Sequence, residues 1–216
     1  MFWYKFFQTL LWVPSKLVMP TKVVGKKNLP KGGAVLICNH QSVLDIPTIG
    51  LNIYKQQRFL GKKELFEKKS KARFYKSLGG IPIDRQNPGL DSIKQCLSVL
   101  KNDQRLLVFP EGTRKQQHDL QDFKSGAIMF AIKAKKPIVP MWIDKKPKFF
   151  RFNTLRIGKP IYFDEYFGKK LSPDEEEHAN KLVLDALAEL KSQAEEKKQK
   201  TKKVKKNKKT IIETKQ

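Results

Sequence analysis

Short apolar runs alternate with helical patterns along most of this chain, and this alternation restricts the possible fold more than any other feature. Strands are predicted at 22–24, 34–38, 58–60, 81–83, 106–109, 138–143 and 155–157, with the last at an edge. Helices are predicted at 42–52, between 63 and 76, at 91–102 and at 125–134. Such alternation is typical of α/β proteins with several parallel strands. We predict a single α/β domain, with a central mixed, largely parallel sheet flanked by helices.

The chain divides by composition into three parts. Residues 1–19 are rich in large apolar and aromatic side chains, and they predict an interfacial membrane-associating helix before the main domain at 20–192. The alternative is a helix that packs on the core of that domain. Ser172 and Glu175 predict a capping box at the start of a final helix. Residues 193–216 are rich in lysine, and they are predicted to form a disordered tail.

The turn after the second predicted strand carries the first candidate for chemistry. The apolar run 34–38 stops at Asn39 and His40, and Ser42 is predicted to cap the helix that follows. Asp45 lies in the first turn of that helix, from which its carboxylate can reach the His40 ring. Such a pair would fix the histidine tautomer and leave the other ring nitrogen as a base. A purely structural histidine is the alternative.

Three further stretches follow that turn in order. Asn39-His40-Gln41-Ser42 with Asp45 is similar to the histidine–aspartate box of the glycerolipid acyltransferases. Gly80-Ile-Pro-Ile-Asp84-Arg85, Phe109-Pro-Glu-Gly-Thr-Arg114 and Pro137-Ile-Val-Pro140 resemble their second, third and fourth blocks. The resemblance covers roughly residues 20 to 165, and it is greatest to the 1-acylglycerol-3-phosphate acyltransferases. It implies transfer of a fatty acyl chain from a thioester to lysophosphatidic acid, which yields phosphatidic acid for phospholipid synthesis.

Two arginines are candidates for binding an anionic substrate. Arg85 and Arg114 both follow predicted strands, and a guanidinium can hold a phosphate through two parallel hydrogen bonds. The resemblance implies that Arg85 binds the acceptor phosphate together with Glu111, Gly112, Thr113 and Arg114. The alternative is that Asp84 and Glu111 form surface ion pairs with these arginines.

The remaining residues near His40 have supporting or competing roles. Asn39, Ser42 and the backbone N–H groups of the turn are candidates for positioning groups or for oxyanion donors. Cys38 could form an acyl-enzyme, although a small buried residue at the end of a strand is the simpler interpretation. A thioester donor needs no enzyme nucleophile, because thiolate is a good leaving group. No Cys/His spacing or Gly-rich loop indicates zinc or a nucleotide, and neither a metal nor a cofactor is expected.

The charge of the chain indicates an anionic partner. The formal net charge is +24, of which the Lys-rich tail supplies only a part. A membrane surface with anionic phospholipid is the expected partner, and nucleic acid is not. The two cysteines form no disulfide framework, which is typical of a reducing compartment. We therefore expect a peripheral protein on the cytoplasmic face of a membrane.

Two alternatives to the main interpretation remain at this level. One is a related acyltransferase that uses another lysolipid or glycerol 3-phosphate. The other is an inactive scaffold that acts as a basic membrane- or nucleic-acid-binding protein. The donor could be acyl-CoA or acyl carrier protein, since both are anionic and suit a basic surface.

Overall fold

The computed structural model describes residues 10, 14, 16–53, 56–84, 87–111 and 126–213, with side chains to residue 199. Residues 10, 14 and 16–18 are helical, and most of the predicted interfacial helix lies outside the described residues. Among the described residues, no helix is both long and apolar enough to cross a bilayer.

In the described part of the chain, seven strands form one sheet in the order β1-β7-β6-β2-β5-β3-β4. Every pair of neighbours is parallel except β6 and β7, which are antiparallel. The strands are β1 Thr21–Val24, β2 Ala34–Cys38, β3 Gln57–Lys62, β4 Gly80–Ile83, β5 Arg105–Val108, β6 Ile138–Ile143 and β7 Asn153–Ile157. The predicted mixed, largely parallel sheet is confirmed.

The side of the sheet at which β2 to β6 end is named the carboxyl edge here. Because β7 is antiparallel to β6 and β1 is parallel to β7, the strands β1 and β7 begin at this same edge. In open parallel sheets, ligands bind beyond the carboxyl ends of the strands. The topology therefore predicts that a functional site lies at the carboxyl edge.

Five α-helices cover the sheet in the described part of the chain. They are α1 Asp45–Asn52, α2 Lys69–Ser77, α3 Leu90–Lys101, α4 Gly126–Ala134 and α5 Pro173–Glu213. Short 3₁₀ turns occur at Lys26–Asn28, Lys63–Phe66 and Asp164–Tyr166.

Two hydrophobic clusters lie on opposite faces of the sheet. On β2, Val35 and Ile37 belong to the cluster that contains residues of α3, α4 and α5, whereas Leu36 and Cys38 belong to the cluster that contains Ile49 of α1. All five residues of β2 are buried, as expected for a central strand with both faces covered. β2 ends at Cys38, so His40 lies two residues beyond a fully buried central strand.

The structure corrects the predicted place of the last strand and the predicted start of the first long helix. β7 is not an edge strand, because β1 lies on its outer side and pairs with it, with Val23 opposite Leu155. The helix predicted from residue 42 begins at Asp45, since residues 43 and 44 form a turn in front of it.

The structure also corrects the prediction of a disordered tail from residue 193. Helix α5 continues to Glu213, and Ala194 is buried with Leu190 against Trp142 of β6. No glycine or proline follows Pro173 in the helix, and Lys, Glu, Gln and Ala are strong helix formers. The predicted capping box is present, because Ser172 N–H donates to Glu175 and Glu175 N–H donates to the Ser172 hydroxyl.

Candidate active site

The turn that follows β2 is fixed to the neighbouring strand β6. The side-chain amide of Asn39 donates to the carbonyl of Ile143 at 3.2 Å, and its oxygen accepts from the N–H of Ile143 at 2.8 Å. Gln41 Nε2 donates to the same carbonyl at 2.7 Å. These bonds link the ends of two adjacent strands, and they place His40 between them at the carboxyl edge.

His40 and Asp45 form the predicted pair. His40 Nδ1 lies 2.8 Å from Asp45 Oδ2, and the carboxylate is fully buried. The same oxygen accepts hydrogen bonds from the backbone N–H groups of Gln41 and Ser42, each at 2.7 Å. A carboxylate only accepts, so in the neutral imidazole Nδ1 carries the proton and Nε2 keeps a lone pair. This is the arrangement that makes a histidine a base.

Phe109 fixes the other side of the imidazole. Its ring stacks on His40 with a centroid separation of 4.1 Å and an interplanar angle of 22°. Phe109 directly follows β5, the neighbour of β2 on the side opposite β6. No role for Phe109 was predicted from the sequence, since its place at the start of the third block indicates a position near the site but not a contact with His40.

An apolar cavity of about 300 Å³ lies beside His40 at the carboxyl edge. Residues at or beyond the ends of four strands contribute to its wall, namely His40, Lys62, Ile83 and Phe109. Helices α3 and α4 contribute Ile93, Ala127, Met129 and Phe130. Among the described residues the lining is mainly apolar, with His40, Lys62 and Tyr75 as its polar members. Such a cavity suits a hydrocarbon chain whose reactive end reaches the imidazole.

The structure describes only some of the other predicted site residues. Glu111 is buried just beyond β5, and its position at the carboxyl edge agrees with a role near the cavity. Arg85, Gly112, Thr113 and Arg114 lie outside the described residues, so their predicted roles stay predictions. Asp84, at the end of β4, pairs with Lys63 at 2.5 Å, an ion pair that sequence analysis did not foresee.

Ser42 and Asn39 hold the turn in this structure. Ser42 donates its N–H to Asp45, and its hydroxyl accepts from the N–H of Leu44 at 3.2 Å. The amide of Asn39 is bonded to Ile143, as described above. These contacts favour the positioning role that sequence analysis gave both residues over the role of oxyanion donor.

Cys38 lies at the end of β2 and is fully buried. Burial raises the pKa of its thiol well above the usual range, and the nearby carboxylates of Asp45 and Glu111 raise it further. A raised pKa keeps the neutral thiol at physiological pH, and the thiol is a much weaker nucleophile than the thiolate. The environment therefore favours the simpler of the two interpretations, a small buried residue.

Replacement of Cys38 by alanine is expected to leave the turnover number within about threefold of the wild type. The variant should lose about 1–2 kcal/mol of unfolding free energy, because a buried sulfur is removed from a close-packed strand. Steady-state kinetics and denaturant unfolding measure the two effects. A loss of activity of a hundredfold or more in a folded Cys38→Ala protein would restore the acyl-enzyme alternative.

A family model described as Acyltransferase matches residues 20–144. The 1-acyl-sn-glycerol-3-phosphate acyltransferase of Bacillus subtilis is 38% identical over 139 residues, which is 63% of this chain and 69% of that protein. The protein of the same name from Saccharomyces cerevisiae is 34% identical over 188 residues, or 81% of this chain and 62% of the relative. The corresponding protein of Cocos nucifera is 36% identical, with half of its length matched.

A solved structure shows the same architecture. The crystal structure of the 1-acyl-sn-glycerophosphate (LPA) acyltransferase PlsC from Thermotoga maritima superposes with a TM-score of 0.63 at 25% sequence identity. The match covers 87% of this chain and 78% of that one. The similarity extends beyond the stretch that the family model covers, and it includes most of the described elements.

Proposed function

Because this chain belongs to the acyltransferase family, we propose that it transfers a fatty acyl chain from an acyl thioester to lysophosphatidic acid and so forms phosphatidic acid. The resemblance that the four sequence blocks suggested is thereby confirmed at the level of the family. The named relatives support lysophosphatidic acid as the acceptor. The observation that carries the proposal is a His40–Asp45 pair at the wall of an apolar cavity.

In the proposed reaction, Nε2 of His40 takes the proton from a free hydroxyl of the acceptor. The hydroxyl oxygen attacks the thioester carbonyl, and the tetrahedral intermediate collapses with loss of thiolate. The imidazolium then gives its proton to the departing sulfur, so the enzyme returns to its starting state. Asp45 stabilises the transient positive charge on the ring, as the carboxylate does in a Ser-His-Asp triad. The substrate hydroxyl replaces the serine of that triad.

The apolar cavity has a defined role in this proposal. A fatty acyl chain buried there contributes about 0.8 kcal/mol per methylene group, which compensates for its removal from a bilayer or a carrier. The stacked Phe109 ring keeps the imidazole at the cavity wall, so a carbonyl at the end of the buried chain meets the base. This division assigns chain binding to the cavity and chemistry to the turn after β2.

The acceptor phosphate is proposed to bind Arg85 and Arg114, with Glu111, Gly112 and Thr113 shaping the site. The described chain passes the carboxyl edge at Asp84 after β4 and at Glu111 after β5, on the side of His40, and Arg85 and Arg114 follow these residues in the sequence. A bidentate arginine–phosphate pair is stronger than a neutral hydrogen bond and holds the acceptor in one orientation. This contact contributes to catalysis because it orients the free hydroxyl of the acceptor toward Nε2.

Replacement of Arg114 by alanine is expected to raise the apparent KM for lysophosphatidic acid about 10- to 100-fold, as the loss of a charge-assisted hydrogen bond implies. The KM for the thioester should change by less than threefold. Initial-rate kinetics with each substrate varied in turn provide the measurement. Lys159→Ala is the matched control, because it removes an exposed cation near the opposite edge of the sheet. Equal effects on both substrates, or an effect as large in Lys159→Ala, would refute the phosphate assignment.

We further propose a peripheral location on the cytoplasmic face of a membrane. Long-chain acceptors reside in bilayers, so the carboxyl edge must meet a lipid surface for the reaction to proceed. The basic composition and the apolar residues 1–19 support attachment to anionic phospholipid. The two cysteines are free and buried, which agrees with a reducing compartment.

A donor-and-acceptor panel tests the proposed function. Purified protein in mixed micelles is incubated with acyl-CoA or acyl carrier protein thioester, and with lysophosphatidic acid, another lysophospholipid, glycerol 3-phosphate or monoacylglycerol. We expect phosphatidic acid to form with lysophosphatidic acid, and the unphosphorylated monoacylglycerol to be a poor acceptor. A preference for another lysolipid or for glycerol 3-phosphate would identify that compound, and not lysophosphatidic acid, as the acceptor. Absence of transfer with every pair would favour the inactive scaffold.

A further inference from the structure

An exposed loop rich in aromatic and basic residues joins β6 to β7. Residues 145–152, named the aromatic loop here, contain Lys145, Lys146, Lys148 and Arg151 and no acidic residue. Its three phenylalanines are largely open to solvent, with Phe149 exposed to 58%, Phe150 to 80% and Phe152 to 53%. Neighbouring exposed rings of this size are unusual on a soluble surface, and they mark an interaction site.

The aromatic loop lies on the side of the molecule that carries the candidate active site. β6 ends at Ile143, whose backbone holds Asn39 and Gln41 on either side of His40. The loop therefore leaves the sheet at the carboxyl edge, directly beside the turn that contains the base. The hydrogen bonds that position His40 are made to the last residue of β6, from which this loop departs.

The loop also contacts the segment that leads into β1. Phe150 N–H donates to the carbonyl of Val18 at 2.6 Å, and Asn153 N–H donates to the carbonyl of Pro20 at 2.9 Å. Leu17, next to Val18, is an exposed apolar residue. The aromatic loop and the end of the apolar N-terminal segment thus form one continuous surface at the carboxyl edge.

The fold holds the loop in a fixed shape. At its base, Arg156 donates to both carboxylate oxygens of Asp144, at 2.7 and 3.1 Å, and this ion pair is buried. The amide of Asn153 bonds to both the N–H and the carbonyl of Lys145. A loop that is already ordered loses little conformational entropy when it binds.

Phe150 is held in a strained backbone conformation. Its φ angle of 57° lies in the left-handed region, which bulky residues rarely adopt. Because the ring is exposed, packing of the Phe150 side chain does little to offset this strain. Such outliers persist where the surrounding structure imposes them, here beside the bond from Phe150 N–H to the carbonyl of Val18, and they justify a hypothesis of function.

We propose that the aromatic loop inserts its phenylalanine rings into the headgroup boundary of an anionic lipid surface, as a second anchor beside the N-terminal segment. Aromatic side chains favour that boundary, and basic side chains are attracted to anionic headgroups. The absence of acidic residues from the loop makes its charge complementary to such a surface. The inference deepens the proposed function and rests on its membrane location, because it explains how the carboxyl edge is held against the lipid.

The substitution Phe150→Gly separates lipid binding from folding. Glycine adopts a φ of 57° without strain, so the variant should keep or raise the melting temperature of the protein while it removes the most exposed ring. Full-length proteins are sedimented without substrate, with vesicles of phosphatidylcholine and phosphatidylglycerol in a 3:1 ratio. We expect the partition coefficient of Phe150→Gly to fall about tenfold, and that of Phe150→Gly with Phe152→Ser to fall further.

Tyr162→Ser is the matched control. Tyr162 has a similar exposure of 55%, and it lies beside Ile161, which bonds to Ile138 at the opposite edge of the sheet. We expect its vesicle binding to match the wild type. Binding by the Phe150→Gly, Phe152→Ser protein at the wild-type level would overturn the proposal. The proposal would also be overturned if the wild type were a dimer, the double variant were a monomer, and vesicle binding were the same for both. The aromatic loop would then bind a second copy of the chain.

The experiment distinguishes failure of the anchor from failure of the proposed function. Vesicle binding is measured without substrate, so it does not depend on catalysis. A short-chain, water-soluble acceptor should be used equally well by the wild type and by Phe150→Gly, since that reaction needs no membrane. A parallel loss of this soluble activity would place Phe150 in the active site and overturn its role as an anchor.

Discussion

Replacement of His40 by alanine should abolish nearly all acyl transfer while the protein remains folded. The expected loss in the turnover number is about 10²- to 10⁴-fold, the range that a positioned general base contributes. No other described group takes its place, because the pair formed with Asp45 at 2.8 Å is what gives Nε2 its basic role. Turnover is measured from phosphatidic acid formed under saturating substrates, and folding from circular dichroism and thermal unfolding.

His178→Ala is the control for the His40 experiment. His178 is an exposed residue of α5, so its replacement also removes an imidazole, but at a position that does not line the cavity. Its activity should equal that of the wild type. Turnover within tenfold of the wild type in folded His40→Ala would show that His40 is a structural histidine, the alternative that its sequence context left open.

Replacement of Asp45 by asparagine should separate the charge of the carboxylate from its geometry. The N–H groups of Gln41 and Ser42 only donate, so they require the amide oxygen of the new side chain in the place of Asp45 Oδ2. That oxygen can still accept from His40 Nδ1, and the ring keeps its orientation. We expect a loss in turnover of about 10²-fold from the missing charge alone, since a carboxylate stabilises the imidazolium far better than an amide.

The same substitution has a predictable cost in stability. Asp45 Oδ1 is buried, and it has no hydrogen-bond partner among the described residues. An amide NH₂ in that position would be a buried donor without an acceptor, which costs about 1–3 kcal/mol of unfolding free energy. Denaturant unfolding measures this change.

Asp45→Ala is the companion variant, because it removes orientation as well as charge. It leaves the N–H groups of Gln41 and Ser42 without their acceptor, and its activity should fall to the level of His40→Ala. If Asp45→Asn matched the wild type in turnover, the charge would have no part in catalysis. If Asp45→Ala retained more activity than Asp45→Asn, the pair would not orient the base.

The strands were predictable because parallel sheets bury their strands on both faces. Runs such as Ala34–Cys38 and Ile138–Ile143 are continuously apolar, and the structure gives them those same bounds. The capping box at Ser172 was predictable because its two hydrogen bonds join residues only three positions apart. Local signals of this kind do not depend on the rest of the fold.

The order of the strands could not be predicted in the same way. β1 is adjacent to β7 through a pairing that joins the beginning of the domain to its end, and no local pattern specifies it. The extent of α5 was underestimated because lysine-rich composition indicates disorder, whereas the intrinsic helix propensity of Lys, Glu and Gln favours continuation. Burial of Ala194 against β6 is a tertiary contact that the sequence does not display.

In the candidate site, too, the local contact was predictable from the sequence, whereas contacts between neighbouring strands were not. The His40–Asp45 contact was predictable because a strand-to-helix turn brings residues five apart together. The stacking of Phe109 and the docking of Asn39 on Ile143 could not be predicted, since both depend on which strands are neighbours of β2. The raised pKa of Cys38 likewise results from burial in three dimensions.

Direct transfer of the acyl chain, without an acyl-enzyme, is tested most sharply by a single-turnover experiment. Excess protein is mixed with a radiolabelled acyl thioester in micelles, with and without lysophosphatidic acid, and free thiol, phosphatidic acid and protein-bound label are measured. We expect one phosphatidic acid for each thiol released when the acceptor is present, and little thiol release or protein-bound label when it is absent. Label that accumulates on the protein without acceptor, or thiol release without phosphatidic acid, would contradict His40-catalysed attack by the acceptor hydroxyl.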